Sequence, residues 1–500
     1  MTIATHLKAP IQTLEEKERA RRELVVEAFS EKARRGLLDF CSFTYMGYRR
    51  PAHIQLMASK LEAVERGEIK RLMIFIPPRH GKSEIASIRF PAWAMGRNPN
   101  RRIIETSYGA DLAQTFSRKV RDIIEDRNRF GVVFPDVMTK QDSRSADAWD
   151  IADARGGMFA AGVGGAMTGY GADILIIDDP VKNKEEAESE AHREKVWDWY
   201  RSVARTRLEP NAAIIVMMTR WHQDDLAGKI LAESGETWDV LNLPAVYNED
   251  ENLDDQGAAR PDPLGRTNGQ ALWPGKYDEK SLQATKTSSG SRVWAALYQG
   301  RPKDPKSHRI QREWIRWYDE LPAGELRRGG GMDTATSKKS KADKMSIVDA
   351  LRDKDGYIYV DDVFLERVSL GAFYDHVCNQ HKIKKYAKIH IESNNAGEAI
   401  KQGIEERGKL TATYPPVEAV PTSNDKVVRV SEFEHLIENG TIRFRRGNAK
   451  VAKLVDHLVD FTGADGDEDD DVDALGFAIK AVKSAPGGYV AAVGHNTDPD

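Results

Sequence analysis

The chain has 500 residues, a length that predicts two or three domains. Because the formal net charge is −4, nucleic-acid binding cannot be inferred from the overall charge of the chain. Any surface that binds nucleic acid must be a local basic patch. The only cysteines, Cys41 and Cys378, exclude a disulfide framework and a cysteine-rich zinc site. We find no secretory h-region and no apolar run near the about 18 residues of a membrane span. We therefore expect a soluble protein of a reducing cytoplasm, without a membrane partner.

The first half of the chain alternates apolar runs with segments of helical spacing. The spacing predicts helices over 14–38, 54–64 and 112–125, and others beginning at Lys82 and Asp224. Short apolar runs predict strands over 71–76, 102–106, 174–177 and 213–218. Strands that alternate with helices indicate a parallel α/β sheet.

A second α/β pattern follows a change of composition near residue 245. The segment 247–269 is rich in Gly, Pro and Asp and predicts a long surface loop. Further on, the pattern predicts a strand ending at Asp333, a hairpin over 346–366, and strands at 389–392 and 441–444. Three strands followed by alternating helices and strands fit a ribonuclease-H-like sheet.

These patterns predict an α/β protein with five segments. They are an N-terminal helical segment (1–45), a first α/β domain (46–300), a linker (301–325), a second, ribonuclease-H-like domain (326–484) and a disordered tail (485–500).

A phosphate-binding loop is predicted between the first apolar strand and its following helix. The sequence PPRHGKS places Arg79, His80, Gly81, Lys82 and Ser83 where backbone N–H groups can cradle ATP phosphates. The lysine would reach the β- and γ-phosphates, and the serine would bind Mg²⁺. The full consensus has a glycine where this chain has an isoleucine, so a chance GKS in a loop is the alternative.

A second ATPase element is the apolar run ILII followed by Asp178 and Asp179. The first carboxylate would serve Mg²⁺, and the second would polarise the attacking water. The alternative is a core strand with an acidic turn, but the order of the two motifs argues against chance coincidence. At the end of the next predicted strand, Thr219 is a candidate γ-phosphate sensor, while His222 is better explained as a packed or hydrogen-bonded histidine.

Further nucleotide contacts are open alternatives. Gln55 could read adenine through its amide, or it could be a solvated helix residue. Arg79 could add positive charge at the transferring phosphate. Arg205 and Arg207 are alternative candidates for an arginine finger, a side chain that reaches a neighbouring subunit. For each of them, an ordinary surface arginine is the better explanation.

A second site is predicted from carboxylates at element ends. Asp333 and Glu392 each end a strand, and a predicted helix begins with a run of aspartates, Asp469, Asp470, Asp471 and Asp473. Two-metal phosphodiester cleavage needs several carboxylates around cations about 4 Å apart, and oxygen ligands suit Mg²⁺ or Mn²⁺.

Within the acidic run, spacing selects the candidate metal ligands. Asp470 and Asp473 are three residues apart and share one helix face. Asp467 and Glu468 are better explained as a solvated loop that stabilises the helix start. Asp343 is a weaker candidate, which could support a metal-binding residue rather than bind the metal itself.

Together these motifs resemble the large terminase subunit of tailed bacteriophages. The resemblance covers roughly residues 43–482 and rests on IPPRHGKS, ILIIDDP, MTRWHQDDLAG, WAALYQGRP, DTA, IESN and DDDVDAL in this order. It implies an ATP-driven motor, in a ring that is a pentamer when docked, which moves double-stranded viral DNA through the portal protein into a procapsid. It also implies a metal-dependent endonuclease that cuts concatemers, a small terminase subunit as partner, and action in the host cytoplasm outside the mature virion.

The resemblance implies that residues 46–300 form a P-loop ATPase domain of RecA/ASCE-like type and that residues 326–484 form a ribonuclease-H-like nuclease domain. It also carries roles over to individual positions. Lys82, Ser83, Asp178 and Asp179 match the ATPase motifs, with Asp179 standing where the family often has Glu. The positions that match the nuclease carboxylates are Asp333, Glu392 and Asp470, with Asp469 or Asp473 adjacent. Two alternatives remain: an ATP-dependent helicase or remodeller with an attached nuclease, and a DNA-binding scaffold without catalysis.

Overall fold

The computed structural model describes residues 14–251, 260–303, 309–334, 343–422, 425–463, 467, 469–484 and 490–491. The chain divides into two compact units. The N-terminal unit runs to Leu282 and includes Ala296–Arg301, and the C-terminal unit consists of Gln283–Ala295 and the chain from Pro302. Among the described residues, no helix is both long and apolar enough to cross a membrane.

The N-terminal unit is built on one mixed sheet. Its strands are β1 (Arg71–Phe75), β2 (Arg102–Ser107), β3 (Thr139–Arg144), β4 (Ala148–Ile151), β5 (Gly157–Gly162), β6 (Ala172–Asp178), β7 (Leu208–Met218) and β8 (Asp239–Asn242). Their order is β3-β4-β5-β2-β6-β7-β1-β8. The six strands from β5 to β8 in this order are parallel, and β4 pairs antiparallel with β3 and β5.

Helices cover this sheet. They are α1 (Leu14–Arg35), α2 (Leu37–Thr44), α3 (Ala52–Glu65), α4 (Phe90–Arg97), α5 (Ala110–Glu125), α6 (Phe130–Val133), α7 (Lys184–Glu188), α8 (Glu190–Trp199), α9 (Leu226–Glu233) and α10 (Glu279–Ser289), the last of which contains the division between the units. A π-helical segment, Glu84–Arg89, precedes α4.

Burial on both faces explains the continuous apolar run of β6. Ile174 and Ile176 lie in one hydrophobic cluster, whereas Leu175 and Ile177 lie in the other, on the opposite face of the sheet. Successive side chains of a strand point to opposite faces, so a strand covered on both sides needs apolar residues at every position. The same run then ends in Asp178, at the edge where the parallel strands terminate.

The C-terminal unit has a second sheet. Its strands are β9 (Arg316–Tyr318), β10 (Glu325–Thr334), β11 (Asp343–Arg352), β12 (Ile358–Val368), β13 (Lys388–Glu392), β14 (Val417–Val420), β15 (Ile442–Arg445) and β16 (Val490–Ala491). The order is β14-β13-β10-β11-β12-β15-β9, with β16 paired to β10. Antiparallel β10, β11 and β12, with β13 and β14 parallel beside β10, confirm the predicted ribonuclease-H-like fold.

The helices of this unit are α11 (Ser291–Val293), α12 (Leu370–Lys384), α13 (Asn395–Thr411), α14 (Lys426–Ser431), α15 (Glu434–Glu438), α16 (Ala449–Asp460) and α17 (Asp470–Ser484). Helix α17 lies very close to β10. A Cβ on Gly331 would stand 2.0 Å from the Ala478 nitrogen and 2.1 Å from the Ala474 oxygen, so only glycine allows this approach. The glycine therefore brings the acidic start of α17 towards the end of β10.

The structure differs from the sequence predictions at several points. Five strands were not predicted, because they are short and carry no clear alternation: β3, β4, β5, β8 and β14. The helix after β7 begins at Leu226, and its cap is Asp225, which accepts from the Gly228 N–H, rather than the predicted Asp224.

Two predicted boundary segments contain strands. Within the predicted linker, β9 pairs with β15 and so belongs to the second sheet. In the predicted disordered tail, Val490–Ala491 pairs with β10, and the rest of 485–500 lies outside the described residues.

Candidate active sites

Three side chains meet at the ends of three neighbouring strands in the N-terminal unit. The Lys82 Nζ lies 2.6 Å from the Asp179 Oδ2 and donates to the Thr219 Oγ1 at 3.0 Å. The Thr219 backbone N–H donates to the Asp179 Oδ1 at 2.8 Å. These contacts follow from the strand order, because β7 lies between β1 and β6. The predicted phosphate-binding lysine, catalytic carboxylate and sensor threonine thus form one hydrogen-bonded set.

Asp178 lies beside this set, buried and surrounded by hydroxyl groups. The Ser87 Oγ donates to its Oδ2 at 2.9 Å. Burial and the neighbouring Asp179 raise the pKa of Asp178 to about 6, while Lys82 and hydrogen bonds from Ser83 and Ser87 oppose the rise. The predicted Mg²⁺ residues Ser83 and Asp178 are therefore adjacent, and oxygen donors of this kind fit that ion.

A buried glutamate near Asp178 was not predicted. Glu105 on β2 is fully buried, and burial followed by the charge of Asp178 raises its pKa well above the ordinary value. Sequence inspection missed it because a glutamate inside the run RIIETS carries no motif. Ser87, which was also missed, is one helical turn after Ser83 and could have been found from that spacing.

The phosphate-binding loop has the backbone expected of a tight anion cradle. Arg79 and Gly81 adopt positive φ values of 62° and 91°, and Arg79 is exposed. His80 is buried: its Nδ1 lies 2.9 Å from the Pro78 oxygen, its ring centroid is 4.9 Å from that of Tyr277, and burial lowers its pKa to about 4. The His80 side chain is thus a packing group, which leaves its predicted nucleotide contact to the backbone.

Helix α3 and a later segment support this loop from outside. The His53 Nε2 lies 3.0 Å from the His80 oxygen, and the Lys276 Nζ donates to the Arg79 oxygen at 2.6 Å. Gln55, the candidate adenine reader, is exposed and donates to the Arg50 oxygen at 2.9 Å. The supporting role of Lys276 was missed because this lysine stands 197 positions after Arg79 in the chain.

The remaining candidates of this unit have contacts inside the chain. Arg205 pairs with Glu236 at 2.6 Å, and Arg207 donates to the Thr206 hydroxyl. His222 is buried, and its Nδ1 accepts from the Asp224 N–H at 3.0 Å, in agreement with a hydrogen-bonded structural histidine.

The C-terminal unit brings the predicted carboxylates together. A pocket of about 210 Å³ is lined by four aspartates, one glutamate, two basic residues and two others: Asp333, Asp469, Asp470, Asp473, Glu392, Lys426, Arg429, Thr422 and Phe477. Strands β10 and β13 are neighbours, which places Asp333 and Glu392 side by side, and the start of α17 supplies the three other carboxylates.

Positive side chains from α14 hold two of these carboxylates. The Arg429 guanidinium binds both oxygens of Asp473, at 2.7 and 2.5 Å, and the Lys426 Nζ lies 2.7 Å from the Asp469 Oδ2. Burial raises the pKa of Asp473, while Arg429 opposes the rise. Sequence analysis did not identify Lys426 or Arg429, since neither belongs to an acidic motif.

The neighbouring acidic residues have other contacts. Asp471 is buried with both oxygens within 2.9 Å of the His457 Nδ1, so it turns away from the pocket. Asp467 accepts from the Thr462 and Gly463 N–H groups, as a loop residue would. The side chain of Asp343, and Glu468 as a whole, lie outside the described residues.

The pocket has the chemistry of a divalent-cation site. In the described part of the chain, no three acidic, histidine or cysteine side chains already stand in a metal-binding arrangement. Two pocket carboxylates are instead engaged by Arg429 and Lys426. Five carboxylates around one cavity nevertheless provide the oxygen donors that Mg²⁺ and Mn²⁺ prefer.

A P-loop unit with paired Lys82 and Asp179, followed by a ribonuclease-H-like unit with a carboxylate pocket, defines a class of two-domain ATPase–nucleases. Two family models match the chain in the same order. Residues 73–317 match "Terminase large subunit, T4likevirus-type, N-terminal", and residues 330–481 match "Terminase RNaseH-like domain". The chain belongs to the large terminase subunit family, whose members are ATPase and nuclease enzymes of bacteriophage DNA packaging.

Solved structures with similar folds are also large terminases. The large terminase of a thermophilic bacteriophage, solved in complex with ATP-gamma-S, is 9% identical over 83% of this chain and 94% of its own, with a TM-score of 0.43. The large terminase of bacteriophage HK97 is 11% identical over 84% and 94%, with a TM-score of 0.33.

A nuclease domain solved alone matches the second unit. The large terminase nuclease of the thermophilic phage G20c with bound magnesium is 12% identical over 34% of this chain and 93% of its own, with a TM-score of 0.24. No curated protein matches the chain significantly. Because all three TM-scores are below 0.5, the family assignment rests on the family models.

Proposed function

We propose that this large terminase subunit uses ATP hydrolysis to move double-stranded viral DNA into a procapsid and cuts concatemeric DNA with a two-metal endonuclease. The observation that carries the proposal is the presence, in one chain, of the Lys82–Asp179–Thr219 set and the five-carboxylate pocket. The first suits phosphoryl transfer and the second suits phosphodiester hydrolysis.

In the ATPase, each residue has a distinct task. The loop N–H groups of Arg79 to Ser83 cradle the phosphates, and Lys82 binds the β- and γ-phosphates. Asp179 orients and deprotonates the attacking water, and its two oxygens are positioned by the Lys82 ammonium and the Thr219 N–H. Thr219 contacts both Lys82 and Asp179 and couples the γ-phosphate to β7. Ser83 and Asp178 would hold Mg²⁺, and Gln55 remains the proposed adenine contact.

In the nuclease, Asp333, Glu392, Asp470 and Asp473 would hold Mg²⁺ or Mn²⁺, and Asp469 is the adjacent carboxylate that could also bind. When bound, two such ions supply an activated hydroxide and stabilise the leaving oxygen. The carboxylates orient the ions, and Phe477 closes one wall of the pocket.

The proposed assembly is the one that membership of the family implies. We propose that the protein docks as a homo-oligomeric ring, a pentamer, on the portal protein, receives DNA with the small terminase subunit, and acts transiently in the host cytoplasm outside the mature virion. The described part of the chain contains one P-loop site, which favours a double-strand translocase over a helicase, since a strand-separating helicase usually carries two RecA-like cores.

The decisive experiment is packaging of double-stranded DNA into purified empty procapsids with ATP, scored as DNA protected from added nuclease. Plasmid cleavage in Mg²⁺ or Mn²⁺ is measured in parallel. We expect ATP-dependent protection and metal-dependent cleavage. Strand displacement on a forked substrate without packaging would instead support a helicase, and the absence of both packaging and cleavage would support a non-catalytic scaffold.

A further inference from the structure

Two basic side chains project into the nuclease pocket from the short helix α14. Lys426 and Arg429 are three residues apart, so they lie on the same face of one helical turn. The turn begins at Asp425, whose Oδ1 accepts from the Val427 and Val428 N–H groups. Both residues line the same cavity as the five carboxylates.

The contacts of these two residues differ from those of surface ion pairs. In the Arg429–Asp473 pair the side chains are only 16% and 9% exposed, whereas in the bidentate Arg407–Asp375 pair of the same unit they are 39% and 40% exposed. Asp333 and Glu392, two further candidate metal ligands, line the same pocket as Arg429. A partly buried guanidinium that lies among candidate metal ligands must compete with any cation that binds them.

The charge of the pocket indicates what else it can bind. Five carboxylates with Lys426 and Arg429 leave three net negative charges around the cavity. Two divalent cations would turn this into one net positive charge, which a single phosphodiester group neutralises. Without the two basic side chains, the loaded pocket would be net negative and would repel the DNA backbone.

We propose that Arg429 and Lys426 are exchangeable counter-ions of the nuclease: they neutralise Asp473 and Asp469 first, and they bind the DNA phosphate once divalent cations engage these carboxylates. The guanidinium has five N–H donors in a fork that fits carboxylate and phosphate equally well. The long side chains can redirect their charge without movement of α14. The inference rests on the proposed nuclease function and assigns the residues that bind the phosphate of its substrate.

The test is Arg429→Gln in the full-length chain. Removal of the competing cation should tighten Mn²⁺ binding, measured by titration calorimetry, by about tenfold, equivalent to roughly 1.4 kcal/mol. Loss of the phosphate contact should weaken binding of a DNA duplex in non-cleaving Ca²⁺ by about tenfold and lower cleavage in Mn²⁺ in the same proportion. The opposite signs are decisive, because a merely structural residue would weaken metal binding and DNA binding together.

Controls separate the proposal from misfolding and from the proposed function. Arg407→Gln breaks the exposed pair and should change neither affinity, and Arg429→Lys should restore part of the DNA affinity. Lys426→Gln tests the same idea if Arg429→Gln lowers the melting temperature strongly. Weaker Mn²⁺ binding, or unchanged DNA affinity, in a folded variant would overturn the proposal. A wild-type chain that binds Mn²⁺ but never cleaves DNA would instead overturn the nuclease function.

Discussion

The two candidate sites neutralise their charges in different ways. In the nucleotide site, Lys82, Asp179 and Thr219 come from the ends of adjacent strands and bind one another directly. In the nuclease pocket, the acidic residues come from β10, β13 and α17, and the basic residues come from a separate helix, α14. The first arrangement is fixed by the sheet, whereas the second depends on how two helices pack on the sheet. We therefore expect the nuclease pocket to be more sensitive to changes in helix packing, and its residues to be harder to predict from sequence motifs.

The largest expected effect is that of Lys82→Ala. Loss of the phosphate-binding ammonium should lower the rate of ATP hydrolysis by at least about 10²-fold, as for removal of one transition-state donor. Plasmid cleavage should persist, because the carboxylates lie in the other unit. A coupled phosphate-release assay checks the first claim, and Lys70→Ala, which removes an exposed lysine bonded to Asn211, is the control. Normal ATP hydrolysis by Lys82→Ala would refute the assigned phosphate-binding loop.

The reciprocal variant is Asp333→Ala. Removal of a carboxylate at the end of β10 should lower the rate of metal-dependent cleavage by at least about 10²-fold, because the ions lose a ligand. ATP hydrolysis should remain within twofold, on the order of assay error. Gel analysis of plasmid nicking in Mg²⁺ and in Mn²⁺ provides the measurement, with Asp375→Ala as the surface control. Full cleavage in either ion would show that the pocket is not the nuclease centre.

The adjacent aspartates should separate into two roles. Asp178→Asn should weaken Mg²⁺-dependent nucleotide binding, because a neutral amide is a poorer ligand for a hard cation. Asp179→Asn should bind ATP but hydrolyse it about 10²–10⁴-fold more slowly, because it cannot act as a base. Nucleotide affinity and single-turnover hydrolysis, measured for both variants, decide the matter. Equal binding defects, or near-normal hydrolysis by Asp179→Asn, would place the water-activating residue elsewhere.

Packing of α17 predicts a stability effect confined to the nuclease. Gly331→Ala would bring a methyl group within 2.1 Å of α17 backbone atoms, which must shift. We expect the free energy of unfolding of this unit to fall by about 3 kcal/mol or more, with loss of cleavage and preserved ATP hydrolysis. Urea unfolding monitored by hydrogen exchange in each unit gives the measurement. Gly371→Ala, which meets no atom within 4 Å, should be neutral, and equal effects of the two would contradict close packing.

The last prediction is a pH dependence of the stability of the N-terminal unit. Burial lowers the pKa of His53 and of His80 to about 4, from 6.5 in the unfolded chain. The folded state therefore binds fewer protons, so its stability is complete above pH 6.5 and falls as pH decreases towards 4. At about pH 5 each histidine should cost about 2 kcal/mol relative to about pH 8. Hydrogen exchange in this unit should show the loss, and His53→Gln should reduce it by about half; a flat profile would contradict the burial of these rings.

Much of the fold was readable from the sequence, for definite reasons. The run ILII predicted β6 because both faces of that strand are buried, and the chain order of strands and helices predicted two α/β units. The spacing of Asp470 and Asp473 placed both at the start of one helix, which the structure begins at Asp470. Such patterns are local, and local periodicity follows from the geometry of helices and strands.

The remaining features depend on contacts between segments far apart in the chain. Sequence placed His80 in the phosphate-binding loop, but only tertiary structure packed its ring against Tyr277. Glu105, without any motif, became a neighbour of Asp178 because β2 pairs with β6.

The sequence by itself determined which residue types could bind phosphate or metal and at which strand and helix ends they stand. The tertiary structure decided which charges neutralise them. Lys426 and Arg429 enter the acidic pocket only because α14 packs beside α17, and α17 approaches β10 only because residue 331 has no side chain. Charge pairing depends on distances of a few ångströms between elements, and sequence spacing does not encode those distances.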